Sequence, residues 1–288
     1  MSRFIIFQIL NGLTTGALLY FVASGLTVVF GLMRILNLTH GGLFLLGGYV
    51  GWSVVQATGN YFLALLCGAI SAAALGLVIQ QTFTRILLGS PFNQVLLTLG
   101  LAFVFNNAFL IIWGGIPRRI STPDVFATSI SVFGVIYPLY RLFLIGLGIV
   151  VGVALWVFWE RSRLGAVIRA SVDDRDMAAA MGIRVDRVYA TVFAVGAALA
   201  GFAGVLGGPV LGVSIGLDFD VLLLAVVVIV VGGIGSLKGA FLSSLLVGLV
   251  DTFGRALFPE ISYFTLFLPV ILILLLRPAG LFGREVVE

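Results

Sequence analysis

Runs of roughly twenty apolar residues recur along this chain, the length a helix needs to cross the hydrocarbon core of a bilayer. They fall at 6–31, 40–57, 61–83, 92–113, 138–159, 188–212, 219–233, 239–258 and 263–277. Inside hydrocarbon a backbone must satisfy its own hydrogen bonds, so each run is expected to be a helix. The expected fold class is therefore all-α, a polytopic membrane protein of about nine transmembrane helices. Eight is the alternative count if the short seventh run forms one broken hairpin with the eighth. The chain is 61% hydrophobic and only 10% charged, with a mean hydropathy of +1.22, whereas soluble domains carry charge at about a quarter of their positions. With 288 residues, almost all needed for spans, residues 1–288 are expected to form a single integrated domain.

One segment departs from this pattern. Between Glu160 and Arg187 stand six arginines, at 161, 163, 169, 175, 184 and 187, among Glu160, Asp173, Asp174, Asp176 and Asp186. Such density marks a solvated segment, and its basic excess places 160–187 on the cytoplasmic side. Alternating the spans from there puts eleven basic residues inside, with Arg34, Arg85, Lys238, Arg277 and Arg284 joining the six. Five (Arg3, Arg118, Arg119, Arg141 and Arg255) fall outside. The amino terminus is then external and the carboxyl terminus cytoplasmic. The first apolar run follows Arg3 without a small-residue cleavage pattern, so it is expected to be retained as a span.

The centre of the charged segment carries helix punctuation. Ser171 is a candidate N-cap with Asp174 three residues on, which resembles a capping box. Asp173, Asp174 and Asp176 suit the positive end of a helix, and Gly182 suits a left-handed C-terminal cap. A helix of about three turns from Val172 to Met181 follows, too short to be stable by itself. With Met177, Ala178, Ala180 and Met181 in its last turns it reads either as a docking element or as a solvated loop helix.

Small residues Gly196, Ala200, Gly204 and Gly208 recur every fourth position and line one helix face, where another backbone can approach closely. Ala197 and Gly201 widen that stripe. Gly41-Gly42, Gly47-Gly48 and the stretch Gly232 to Ser236 are expected to interrupt spans near their ends, as backbone lining a polar path often does. Arg34, Asn37, Thr39 and His40 cluster between the first two runs, either as a path lining or as an ordinary turn with a capping Asn. Asp218 and Asp220 read as first-turn helix acids, and Asp251 as the partner of Arg255.

Several chemistries are excluded. The stretch GGIGSLKG from Gly232 lacks the Gly-Lys-Ser/Thr ending of a phosphate-binding loop. One histidine and one cysteine, Cys67, leave neither a disulfide framework nor a cluster of ligands, so no metal site is expected. No base accompanies a nucleophile, and no chain of intramembrane acids suggests a proton relay. The basic residues form no face that would bind nucleic acid. A membrane enzyme is disfavoured on these grounds. A secondary transporter or channel remains as the alternative from another class.

The chain resembles the permeases of branched-chain amino acid ABC importers, in particular the shorter, LivH-type subunit. The resemblance rests on GLTVVFGLMRILNLTHGGLFLLGGYVG (25–51), on RSRLGAVIRASVDDRDMAAAMGIRVDRVYATVFAVGAALAGFAGVLGG (161–208), and on IVVGGIGSLKGA from Ile229 through LLLRPAGLFGRE ending at Glu285. It implies a non-catalytic subunit of a bacterial or archaeal inner membrane. It also implies a coupling helix, comprising Asp173, Asp174, Arg175, Met177, Ala178, Ala179, Ala180, Met181 and Gly182, that enters a groove of a cytoplasmic ATPase. The implied partners are a second related permease subunit, two ATPase subunits carrying ATP and Mg, an external substrate-binding protein and membrane lipid. No cofactor is implied on this chain. Asn37, Thr39, His40 and Gly41 become a candidate translocation path, and Gly196, Ala200, Gly204 and Gly208 a helix-packing face. The cargo implied is a branched-chain amino acid, with urea or short-chain amides as the alternative within the family.

Overall fold

The computed structural model describes residues 2–33, 37–84 and 91–283. Arg34, Arg85 and Arg284, which entered the charge argument, lie outside these. Among the described residues nine helices of at least 15 residues fall on the nine apolar runs. They are α1 (Ser2–Met33), α2 (His40–Thr58), α3 (Tyr61–Ile79), α4 (Pro91–Trp113), α5 (Leu139–Arg161), α8 (Val185–Leu211), α9 (Leu217–Gly232), α10 (Leu237–Leu257) and α11 (Ser262–Leu276). Two short helices, α6 (Arg163–Asp173) and α7 (Arg175–Ala180), occupy the charged segment between α5 and α8. Six of the long helices are long and apolar enough to cross a membrane by length and composition. The chain is a polytopic, predominantly helical membrane protein.

The helices differ sharply in enclosure. In the most apolar stretch of α1, 83% of residues are buried, and in α8 61%, against 17% in each of α4 and α5. So α1 and α8 form the centre, while α4 and α5 stand at the periphery. What brings backbones to that centre is the absence of side chains. A Cβ on Gly25 of α1 would lie 2.5 Å from the Gly196 carbonyl oxygen of α8. One on Gly204 would collide with the Phe44 carbonyl of α2, and one on Gly201 with Gly68 and Ala72 of α3. The stripe therefore serves several partners: Gly196 meets α1, Gly204 meets α2, and Gly208 meets Ile120 in the segment after α4. Ala200, at the same spacing, is fully buried.

The glycine pairs of α2 do not interrupt it. The helix runs unbroken from His40 to Thr58 through Gly41-Gly42 and Gly47-Gly48. Gly47 packs on Gly201 and Gly41 on the Asp218 carbonyl of α9, so these glycines admit neighbouring backbones instead of breaking their own. The Gly232 to Ser236 stretch does turn the chain, with Gly233 and Gly235 at φ +95° and +76°. There α9 and α10 form a tight hairpin: Ser236 Oγ caps α10 by accepting from the Gly239 amide at 3.0 Å, and Ser243 Oγ donates to the Val228 carbonyl at 2.7 Å.

A β-hairpin supplements the all-α expectation. Strands β1 (Ser129–Val132) and β2 (Val135–Pro138) pair antiparallel, Ser129 opposite Pro138 and Val132 opposite Val135. Phe133 and Gly134 turn the chain with φ of 51° and 78°, the left-handed pair that a two-residue hairpin turn of matching twist requires. Polar bonds tie β2 to α1. The Tyr137 hydroxyl donates to Asn11 Oδ1 at 3.1 Å and lies 2.9 Å from Thr14 Oγ1, and Arg141 Nη1 donates to Asn11 Oδ1 at 2.6 Å. Burial raises the pKa of the Tyr137 phenol despite the Thr14 bond and the nearby arginine, so it keeps the proton it donates.

The top of α8 has its own clasp. Pro209 lies inside α8 and lacks the N–H that would bond back to Val205. Tyr61 reaches that carbonyl at 3.4 Å, and Tyr140, 2.6 Å from the Tyr61 hydroxyl, donates to the Leu206 carbonyl at 2.7 Å.

Gly204→Ala should lower the thermal midpoint of the purified chain, because the added methyl forces the α2–α8 backbones apart at a cost of about 1–3 kcal/mol. Gly204→Ile should abolish the folded yield. Gly146→Ala is the control, since its methyl would meet nothing within 4 Å and should leave the midpoint unchanged. Equal midpoints for Gly204→Ala and Gly146→Ala would contradict the packing.

Candidate functional site

The charged segment folds as two helices in place of the single one expected. Ser162 caps α6, its Oγ accepting from the Gly165 amide at 2.9 Å. Ser171 does not cap: it is 1% exposed, inside α6, with its Oγ donating back to the Val167 carbonyl at 2.9 Å. Asp174 takes the capping role in extended backbone, φ −149° and ψ 104°, and its Oδ1 accepts from the Met177 amide at 2.9 Å. The helix so begun, α7, is six residues long, shorter than the Val172 to Met181 expected, because Val172 and Asp173 belong to α6.

At its other end Gly182 has φ +84°. Its amide donates to the Ala179 carbonyl at 3.0 Å, and the Ile183 amide donates to the Ala178 carbonyl at 3.1 Å. This crossed pair is the Schellman arrangement, which stops a helix where glycine can turn left-handed.

Both short helices are anchored by the permanent packing of the bundle. Ile168 of α6 is buried with Val28, Val192 and Leu237 from α1, α8 and α10, and Trp159, Val172, Val188 and Tyr189 pack around them. The Gly165 backbone turns so close to the end of α5 that a Cβ would collide with the Trp159 carbonyl. On α7 only Ala178 is buried. Arg175 connects α7 to α8 twice, 3.7 Å from Asp186 and 5.6 Å over the Tyr189 ring. Asp173, Asp176, Ala179, Ala180 and Gly182 are exposed, as are Met177 at 60% and Met181 at 77%. Beside them an open cleft of about 520 Å³ is lined by Arg175, Ala179, Ile183, Arg184, Val185, Asp186 and Arg187. The segment thus offers two exposed methionines one turn apart and a basic cleft, on a helix capped at both ends.

The cluster before α2 is enclosed. Asn37 Oδ1 accepts from the Thr39 amide at 3.0 Å and from Thr39 Oγ1 at 2.6 Å, a local turn in which Thr39, not Asn37, is the N-cap of α2 and no side chain makes a capping bond. His40 Nε2 lies 3.1 Å from the Val22 carbonyl oxygen of α1, and its ring is 1% exposed. Gly41 touches the first turn of α9. Asp251 and Arg255 are paired, with Nε at 2.9 and 3.0 Å from the two carboxylate oxygens.

In the segment after α4, Arg118 and Arg119 are already engaged. Arg118 donates to the Trp113 carbonyl at 3.2 Å and lies 4.6 Å over the Trp52 ring, and Arg119 donates through Nε and Nη2 to the Pro209 carbonyl at 3.2 Å. Sequence reasoning overlooked Asn106, which meets Asp218 in the interior. The available signal was the Asn106-Asn107 pair in the middle of an apolar run.

A family model described as "Branched-chain amino acid transport system / permease component" matches residues 8–276. The chain belongs to that family. This permease is 31% identical to the high-affinity branched-chain amino acid transport system permease protein BraD of Pseudomonas aeruginosa, over 98% of this chain and 96% of that protein. It is also 31% identical to the corresponding permease protein LivH of Escherichia coli K12, with the same coverage of 98% and 96%. A solved chain of PsaBC from Streptococcus pneumoniae in complex with Fab aligns at 16% identity and a TM-score of 0.49, over 92% of the permease and 89% of that chain.

The cap assignment is directly measurable. Asp174→Ala removes the acceptor for the first turn of α7, a loss of about 1 kcal/mol, and should speed amide hydrogen exchange from Met177 to Met181 while leaving α8 beyond Val192 unchanged. Ser171→Ala should not speed exchange in α7. Unchanged exchange at Met177 in Asp174→Ala would contradict the assignment.

Proposed function

We propose that the chain is the passive transmembrane half of an ATP-driven importer for branched-chain amino acids. In this reading residues 1–288 form one permease domain with nine spans in an inner membrane of a bacterium or archaeon. The amino terminus faces outward and the carboxyl terminus faces the cytoplasm. A related permease subunit completes the path, an external binding protein delivers cargo, and two cytoplasmic ATPase subunits hold ATP and Mg. This chain catalyses nothing itself. The cargo reading is supported by relatives named for high-affinity branched-chain amino acid transport, aligned over 98% of the chain.

The observation that carries the reading is α7, a six-residue helix of the 160–187 coupling segment. A helix this short cannot persist by propensity, and its caps, its single buried Ala178 and its Arg175 contacts hold it as one piece on α8. Asp174 and Gly182 fix its ends, Arg175 opens it and Asp173 precedes its cap, and Met177, Ala179, Ala180 and Met181 form the surface offered to the ATPase groove. Movement of that groove displaces α7, then α8, and through the glycine contacts of α8 the helices α1, α2 and α3. Asn37, Thr39, His40 and Gly41 brace the foot of α2 beside the route, held by their own bonds, and Gly196, Ala200, Gly204 and Gly208 transmit the displacement by close packing.

Ala179→Arg adds volume and charge to the exposed flank of α7 and should abolish ATP-dependent uptake and copurification of the ATPase subunits, with normal membrane insertion. Ala179→Pro breaks the helix from within, at about 3 kcal/mol, and should likewise lose uptake. Full uptake and normal ATPase copurification with Ala179→Arg would refute the coupling role. Orientation is tested in a Cys67→Ala background with Met181→Cys and Phe133→Cys, at side chains 77% and 84% exposed. An impermeant thiol reagent should label position 133 from outside intact cells and position 181 only after permeabilisation. Labelling of 181 from outside would reverse the topology.

A further inference from the structure

Two polar side chains from separate long helices meet in the apolar interior with more acceptors than donors. Asp218, in the first turn of α9, is 2% exposed, and Asn106, well inside α4, is 9% exposed. Asn106 Nδ2 donates to Asp218 Oδ2 at 2.6 Å and to the Ala102 carbonyl at 3.3 Å, which uses both amide protons. The amides of Phe219 and Asp220 donate to the Gly216 carbonyl at 3.1 and 3.5 Å, and the Gly216, Asp218 and Phe219 amides also face the Asp218 carboxyl. Asp218 Oδ1 and Asn106 Oδ1 are both buried without a hydrogen-bond partner.

A carboxylate with a single side-chain partner, away from water, is costly and marks a functional position inside a membrane protein. Two orphaned acceptor oxygens, one of them on a carboxyl group, suit a positively charged group with several N–H donors. The Tyr49 hydroxyl, buried without a hydrogen-bond partner, lies within electrostatic range of Asp218, and the Phe103 and Phe219 rings are 5.9 Å apart beside the pair. The neighbouring Asn107 is exposed on α4 and satisfies itself on the Phe103 carbonyl at 2.9 Å.

We propose that Asp218 and Asn106 form an intramembrane station that holds the α-ammonium group of the transported amino acid as it passes between α4 and α9. This rests on the amino acid cargo reading above. The aromatic rings of Phe103 and Phe219 accommodate the apolar part of the cargo, and the carboxylate with the amide oxygen replaces the water that the ammonium leaves behind.

The test uses the complete assembly in proteoliposomes, with leucine as the probe. Asp218→Asn should keep binding-protein-stimulated ATP hydrolysis within about twofold of wild type while leucine uptake per ATP hydrolysed falls about tenfold or more, the scale of one lost charge-assisted bond. Asn106→Leu, which leaves the carboxylate but removes the amide, should also lower uptake per ATP. Phe219→Cys in a Cys67→Ala background should be alkylated, and leucine delivered by the binding protein should slow that alkylation. Unchanged uptake per ATP in Asp218→Asn overturns the station, as does loss of assembly in both Asp218→Asn and Asn106→Leu, which would make the pair a structural contact. Loss of wild-type uptake when choline replaces sodium would assign the carboxylate to an inorganic cation and also overturn it. Absence of leucine uptake by the wild type marks failure of the cargo reading, whereas normal wild-type uptake with unaffected variants marks failure of the station alone.

Discussion

Backbone-to-backbone contact along α8 is the constraint on which the rest of this permease depends. In lipid the hydrophobic effect gives no reason for one apolar helix to prefer another, so association rests on close packing. Here that packing is available because α8 presents glycine to three neighbours: Gly196 to Gly25 of α1, Gly204 to Phe44 and Gly48 of α2, and Gly201 to Gly68 of α3. An added methyl at any of these contacts would force the backbones apart. The same closeness makes the centre stiff, since packed interiors move as units and not by gradual deformation. The peripheral α4 and α5, with 17% of their apolar windows buried, are not under this constraint.

Stiffness at the centre gives the charged segment its importance. The helix that carries the glycine face begins at Val185, immediately after the Schellman turn that ends α7. Arg175 reaches back from α7 to Asp186 and Tyr189 in the first turns of α8. As an exposed ion pair that contact is worth no more than about 1 kcal/mol, so α7 is seated mainly by Ala178 and by the apolar cluster under α6. A small capped helix, fixed to the base of the helix that carries the glycine face, is suited to carry displacement inward without deforming itself.

Much of this architecture is legible in the sequence because a span is long. Nine apolar runs locate nine long helices, since the bilayer sets a length that no other use of apolar residues requires. Short elements are harder. Ser171 and Asp174 are both good capping residues, and the choice between them depends on Ser162, which starts α6 early enough for Ser171 to fall inside a helix and bond back to Val167. The hairpin at Ser129–Pro138 has strands of four residues, too few for an alternation to declare itself. The Gly-Gly pairs of α2 read from sequence as breaks, whereas glycine also serves to admit a neighbour, and only the position of Gly201 and Asp218 shows that it does so here. The regular spacing of Gly196, Gly204 and Gly208 identified a face without showing that its members meet different partners. Asn106 escaped notice because a single span says nothing of the acid that faces it from another.

Under the proposed function this chain performs no work of its own and moves cargo only when α7 is driven from outside. This is tested most directly by leucine uptake into proteoliposomes containing either this permease alone, under imposed sodium or proton gradients, or the permease with its partner permease, ATPase subunits and loaded binding protein. The chain alone should show no concentrative uptake under any gradient, and the complete set should show ATP-dependent uptake. Concentrative uptake by the chain alone, driven by an ion gradient, would contradict the proposed function.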